Sequence, residues 1–164
     1  MTESKQNGEP IEMLRDRIKG IRMSMLSTIS DGKIVTRPMS TQDMGPDGTL
    51  WFLTSVESHK VGEIAHYPNV NVSFCDSGSE TYVSVAGSAK ISNDRAMIEK
   101  FWNPFYAAWF DGPDDPTIRV LEVKPVTAEY WITKGGKIVS LLSMLASAVT
   151  GKDMEAGENK TVSL

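Results

Sequence analysis

Polar and apolar positions follow two rhythms along this chain. Near the start, "EPIEMLRDRIKGI" sets Ile11, Leu14, Ile18 and Ile21 at spacings of 3, 4 and 3. That is the stripe of one helix face, with Gly20 marking its end. Beyond it the period shortens to two. "MSMLSTIS" and "KIVTRPMSTQDM" flank Asp31-Gly32, the dipeptide of a tight hairpin. "GPDG" then turns the chain into "TLWFLTS", and the three segments predict a meander. "HKVGEIAHY" predicts a short helix that stops before Pro68, and "VNVSFCD" and "ETYVSVAGSAKIS" predict two strands joined through "SGS". Asn93 or Asp94 stands where a cap belongs for a helix over "DRAMIEKFWNPFYAAWF", bent at Pro104. "DGPDDP" is a loop by composition. "IRVLEVKPVTAEYWIT" reads as a long strand interrupted at Pro125, and "IVSLLSMLASAVTG" as a strand that finishes as a helix.

Six or more strands joined by short turns pair antiparallel, because parallel pairing needs longer crossovers. In a chain of 164 residues they suggest a small six-stranded barrel that removes exposed edges. The expected fold is mainly β with helices, in one domain over residues 1–164. Residues 1–8 read as a frayed tail and 152–164 as a loosely ordered one.

Composition narrows the function. Hydrophobic residues make up 40% and charged residues 23%, as in an ordinary soluble globular protein. No apolar run reaches the length of a membrane span, and the polar start is not a secretory signal. The single cysteine, Cys75, excludes an internal disulfide and fits a reducing, cytoplasmic setting. The net charge of −4 argues against nucleic acid as a partner, since phosphate backbones call for a basic surface. A small anion needs only a local positive pocket.

The candidate chemistry centres on "FLTSVESHKVGEI". Ser58 occupies the N-cap position of the helix that begins at His59. The first N–H groups of a helix lack internal partners, and that end is positive. Lys60 has the wrong sign for the helix alone, and no Glu or Gln follows Ser58 by three residues to complete a capping box. Ser58, His59 and Lys60 are thus either a solvated turn or a cradle for an anion such as phosphate. In "IVTRPMSTQ", Arg37 shares a strand face with Val35 and Met39. It is either an edge arginine reaching water or one paired with an anion. Pro38 beside it removes a ladder donor. If the two segments are neighbouring strands, Arg37, Lys60, Ser55, Ser58 and a helix N-terminus can meet at one phosphate monoester.

The run R-P-M, then W-F-L-T-S, then S-H-K before a short helix resembles the FMN-binding split-barrel proteins, relatives of pyridoxamine 5'-phosphate oxidase. "NVNVSF", "YVSVAGSAKIS", "WNPFYAAWFDGPDDP", "AEYW" and "TGKDMEAGEN" resemble the general stress protein branch, and the likeness extends from about residue 10 to residue 164. The resemblance implies an antiparallel six-stranded split β-barrel and a homodimer with two FMN molecules at the subunit interface. Arg37 and Lys60 would hold the phosphate, with Ser58 and His59 beside them. Pro38, Met39, Ser40, Leu53, Thr54 and Ser55 would line the ribityl chain and ring. Tyr82 matches a flavin-contacting position supplied by the partner subunit. Trp109 or Trp131 would cover the ring, or serve as core or interface packing. A phosphate cradle by itself fits FMN, FAD and a deazaflavin; the resemblance favours FMN.

The Arg/His-rich C-terminal motif that holds the substrate in pyridoxamine-phosphate oxidases is missing here, which speaks against that oxidation. No residue is assigned a catalytic role. His59, His66 and Cys75 do not make a metal pattern, and a nucleophilic Ser-His-Lys site would need a base and an oxyanion hole that nothing supplies. Three functions remain: an FMN-dependent oxidoreductase acting on an unassigned small molecule, linked to general stress; a non-enzymatic flavin-binding or sensing protein; and a pure interaction module with an empty barrel.

Overall fold

The computed structural model describes residues 8–132 and 158–164. Helix α1 (Gly8–Ile18) buries Leu14 and Ile18 against the core, with Ile11 and Ile21 packed beside them. Its Arg15 donates to the carbonyls of Met44 and Gly45, both at 2.9 Å. A hairpin follows, β1 (Met23–Ser30) and β2 (Lys33–Ser40). Its two-residue turn places Asp31 at φ 48° and Gly32 at φ 72°, the left-handed pair for which Asp-Gly is suited. After β3 (Asp43–Met44) and β4 (Leu50–Ser55) come helix α2 (His59–His66) and strands β5 (Asn69–Asp76) and β6 (Thr81–Ser92). Helix α3 (Arg95–Phe101), a 3-10 turn (Pro104–Ala108), β7 (Ile118–Ile132) and β8 (Glu158–Ser163) complete the described elements.

All strand pairs are antiparallel, in the order β2-β1-β5-β6-β7-β4-β3. Strand β8 shares an edge of β7 with β4: β4 pairs along 118–123 and β8 along 127–132. The fold is therefore mainly antiparallel β with helices. Strands β2 and β3 stand at opposite ends of this order, yet only Thr41 and Gln42 separate them in the chain. The sheet must curl until its ends face each other. Among the described residues, the ladder stays open between β2 and β4. Segments 33–43 and 49–55, expected to be neighbours, pair only where Gln42 and Asp43 meet Trp51; β2 itself does not pair with β4 and faces it across the opening.

Inside the curl, Leu26, Phe52, Val72, Phe74, Val85 and Leu121 form the main core. A second cluster on the other face of β4 holds Leu53, Ile98, Phe101, Tyr106, Ile118 and Val120. Covered on both faces, β4 is apolar without alternation, which is why "LWFL" reads as a continuous run.

Several expected elements change. Pro104 ends α3 instead of bending it, because the residue before a proline disfavours the helical region. Trp102 and Asn103 are extended, and the Asn103 side chain accepts from the Phe105 N–H to start a separate 3-10 turn. Pro125 does not break β7. It lies opposite Gly87 where the register shifts between Ala86 and Gly87, and such an irregularity accommodates the missing donor. Residues 158–163, expected to be loosely ordered, form β8 against β7. The strand-then-helix expected from Ile138 onward and the tail at 1–7 lie outside the described residues. Among the described residues, no helix is long and apolar enough to cross a membrane.

Gly87 is fixed by space. A Cβ there would stand 2.4 Å from the Lys124 carbonyl oxygen. Gly87→Ala is expected to cost roughly 1–3 kcal/mol, the usual scale for overpacking. Urea denaturation checks this, and an unchanged midpoint would contradict it.

Candidate functional site

The curl leaves a cavity of about 500 Å³ where the opening between β2 and β4 meets the segment after α3. Pro38, Met39 and Ser40 of β2 line one side, and Leu53, Thr54 and Ser55 of β4 another. Ser58 and Lys60 line it where α2 begins, and Phe105, Tyr106, Trp109 and Phe110 add an aromatic wall. Phe105 and Trp109 are mostly exposed, with ring centroids 4.9 Å apart.

The start of α2 is built unlike an ordinary helix end. Ser58 has the extended backbone of an N-cap, but its hydroxyl makes no capping bond. It accepts instead from the Lys60 Nζ at 2.6 Å, and Lys60 also donates to Thr54 Oγ1 at 3.0 Å. The ammonium is thus drawn back beside the uncapped end of its own helix. Burial pushes the Lys60 pKa down, and the nearby Arg37 lowers it further against the opposing pull of Glu63.

Arg37 is held differently. Its Nη2 donates to Glu63 Oε2 at 2.8 Å and its Nη1 to the Thr28 hydroxyl. Thr28 in turn donates to Glu63 Oε2 at 2.6 Å. The Arg37 and Glu63 side chains are only 20% and 10% exposed, so this is a largely buried ion pair with a hydroxyl to complete it. Burial pushes the Glu63 pKa up, but the hydrogen bond from Thr28 and the charge of Arg37 outweigh it, and the net shift is downward.

A polar relay braces the Ser40 end. Asn103 is oriented by the Phe105 N–H and the Phe101 carbonyl and donates to Gln42 Oε1 at 3.4 Å. Gln42 Nε2 then donates to the Ser40 carbonyl at 2.8 Å and to its hydroxyl at 3.1 Å. Nearby, the buried Tyr106 hydroxyl lies close to the Ser40 hydroxyl. Burial pushes its pKa up to about 12, which keeps it protonated at neutral pH; the Ser40 hydroxyl pulls the other way.

Of the residues singled out in the sequence, Pro38, Met39, Ser40, Leu53, Thr54, Ser55, Ser58, Lys60 and Trp109 therefore line one cavity. Arg37 lies behind it with Glu63. His59 lies elsewhere, lining a separate depression with Glu63 and His66. Tyr82 and Trp131 are register partners on β6 and β7, both well exposed on the face of the sheet away from the core.

The sequence profile described as "Pyridoxamine 5'-phosphate oxidase like" matches residues 9–155. The chain belongs to the pyridoxamine 5'-phosphate oxidase-like family. It is 37% identical to general stress protein 26 of Bacillus subtilis over 107 residues, which covers 63% of this chain and 75% of that one. It is 31% identical to protein bli-3 of Neurospora crassa over 156 residues, 87% of this chain and 74% of that one. Among solved structures, the general stress FMN/FAD binding protein of Xanthomonas citri is similar at 29% identity and TM-score 0.66, covering 79% of this chain and 92% of that one. General stress protein 26 of Bacillus anthracis is similar at 31% identity and TM-score 0.67, covering 73% and 92%.

In this family member, sequence reasoning passed over Glu63, Phe105, Tyr106 and Phe110. The signal for Glu63 was its place three residues after Lys60, one helical turn on. For the aromatics it was the density of rings in "WNPFYAAWF", of which only Trp109 was singled out.

The pKa directions have consequences for stability. A carboxylate whose folded pKa lies below its ordinary 4.5 stabilises the fold above that value and loses the contribution as pH falls through the folded pKa. Lys60 acts oppositely to a paired lysine: with its folded pKa below 10.5, its charge costs stability at neutral pH, and the cost disappears as pH rises through the folded pKa. Glu63→Gln is expected to flatten the acid limb of the stability profile below pH 4.5. Denaturation midpoints measured across that range check this, and an unchanged acid limb would contradict it.

Proposed function

We propose that this cavity binds FMN through its phosphate and that the protein is a flavin-dependent oxidoreductase. The observation that carries the reading is the half-buried Lys60, held by the Thr54 and Ser58 hydroxyls at an uncapped helix N-terminus in the cavity wall. An ammonium, hydroxyls and free N–H groups together suit a phosphate monoester. The cavity volume lies within the usual range for a cofactor site. The printed description of the Xanthomonas citri relative, an FMN/FAD binding protein, supports the same reading.

The residues present fit the cofactor. Lys60, Ser58 and Thr54 would hold the phosphate, joined by Arg37 from behind. Ser40 and Ser55 would meet the ribityl chain and ring edge, and Leu53 and Met39 would pack the ring. Phe105 and Trp109, with rings tilted by 52° to one another, form an aromatic lip beside the bound ring. Bound FMN supplies hydride and electron transfer, while the side chains bind, orient and shield. In this reading the curled sheet is a split barrel, and the opening between β2 and β4 is where the cofactor lies.

The reading includes a homodimer. Cys75, Tyr82 and Trp131 form a cross-strand row on the outer face of the sheet, and Met25 is exposed close by on β1. Met23, at the start of β1, is half exposed and also lines the cavity. An exposed apolar patch that continues into a ligand site suits a second copy whose surface completes the site. Light scattering is expected to give twice the chain mass, and Trp131→Glu a monomer; a monomeric wild type that binds FMN fully would contradict the interface.

The decisive experiment is spectral. Purified protein titrated with FMN is expected to perturb the flavin band, and Lys60→Ala to weaken binding by roughly 1.5–3 kcal/mol. Unchanged affinity in that variant would remove the phosphate assignment. Mass spectrometry of the released ligand separates FMN from FAD and a deazaflavin. Anaerobic addition of NADH or NADPH then separates the enzyme, whose flavin band bleaches, from a flavin-binding or sensing protein, whose band does not.

A further inference from the structure

We propose that Glu63 is an internal stand-in for the ligand phosphate, holding Arg37 in the ligand-free protein and releasing it when a phosphate monoester enters. This rests on the flavin reading and assigns a role to a residue that reading does not use. The backbone of β2 brings Arg37 to the cavity, since its neighbour Pro38 lines it. The guanidinium nevertheless turns behind α2, to a carboxylate one helical turn beyond Lys60. Lys60 lines the cavity; Glu63 does not. The two cations are close enough for Arg37 to depress the Lys60 pKa, and the Glu63 charge counteracts that effect. An empty site with two largely buried cations and no anion would be costly. Glu63 removes part of that cost.

The release leaves Glu63 a hydrogen-bond partner. Thr28 donates to the same Glu63 oxygen that Arg37 holds, at 2.6 Å, so the carboxylate keeps a partner once the guanidinium turns away. Arg37 has five N–H donors, and Thr28 and Glu63 occupy one on each terminal nitrogen. Once Arg37 is released, all five can serve phosphate oxygens. Glu63 thus raises the stability of the empty protein and lowers its affinity for phosphate through the same contact.

The test compares FMN with riboflavin, which lacks the phosphate, by fluorescence titration of wild type, Glu63→Gln, Arg37→Ala and the double variant. Glu63→Gln is expected to bind FMN about tenfold more tightly, with riboflavin affinity unchanged and a lower melting temperature without ligand. In the Arg37→Ala background the same substitution is expected to give no gain. FMN affinity equal to or weaker than wild type, a gain shared by riboflavin, or a gain that persists without Arg37 would each overturn the inference. Should Glu63→Gln fail to fold, Glu63→Asp, which shortens the reach to Arg37, is measured in its place with a smaller gain expected. A wild type that binds neither flavin would sink the flavin reading itself, and this inference with it.

Discussion

Thr41 and Gln42 link strands that stand at opposite ends of the sheet order, and so short a link forces the two ends together. Everything at the site follows from that constraint. The curl encloses the main core, sets β2 and β4 face to face across an open ladder, and leaves the cavity between them. The corner is held by its own bonds. The Gln42 N–H donates to the Trp51 carbonyl at 2.8 Å, and its side chain bridges Ser40 and Asn103. The corner that brings the two ends of the sheet together is therefore also the corner that orients Ser40.

Around α2, three charged side chains are packed together. Arg37, Lys60 and Glu63 carry one net positive charge in a poorly solvated place, where unpaired charge is expensive. Two hydroxyls hold Lys60, and a carboxylate with a third hydroxyl holds Arg37. Under the proposed flavin reading, the arrangement tolerates the empty state and keeps Lys60 in the cavity wall for an incoming phosphate. The Tyr106 hydroxyl is also buried at this cavity, and burial raises its pKa further above neutrality.

The strands were legible where a local signal sufficed. Asp31-Gly32 announced the hairpin, and the left-handed turn at both residues bears it out. Ser58 announced the start of α2. The misreadings occurred where a local signal was overridden. Pro125 looked like a break, yet a register shift opposite Gly87 absorbs it. Composition made 158–163 look loose, yet the free edge of β7 pairs it. Most of the residues that the family resemblance marked line the one cavity, but the aromatic side of that wall was hidden, since Phe105 and Phe110 look the same in sequence whether they face a core or a pocket.

The sequence by itself determined the β-rich class, the helix stripe of α1, the hairpin, the membership in the family and the unusual lysine after Ser58. These depend on residues close together in the chain or on motifs that survive as strings. Only the tertiary structure decided that β2 faces β4 without pairing, that Arg37 is held by Glu63, and that Tyr82 and Trp131 point away from the cavity. Those outcomes depend on how far the sheet curls and on which buried charge finds a partner. Both are set by contacts between residues distant in sequence, and no periodicity or composition records them.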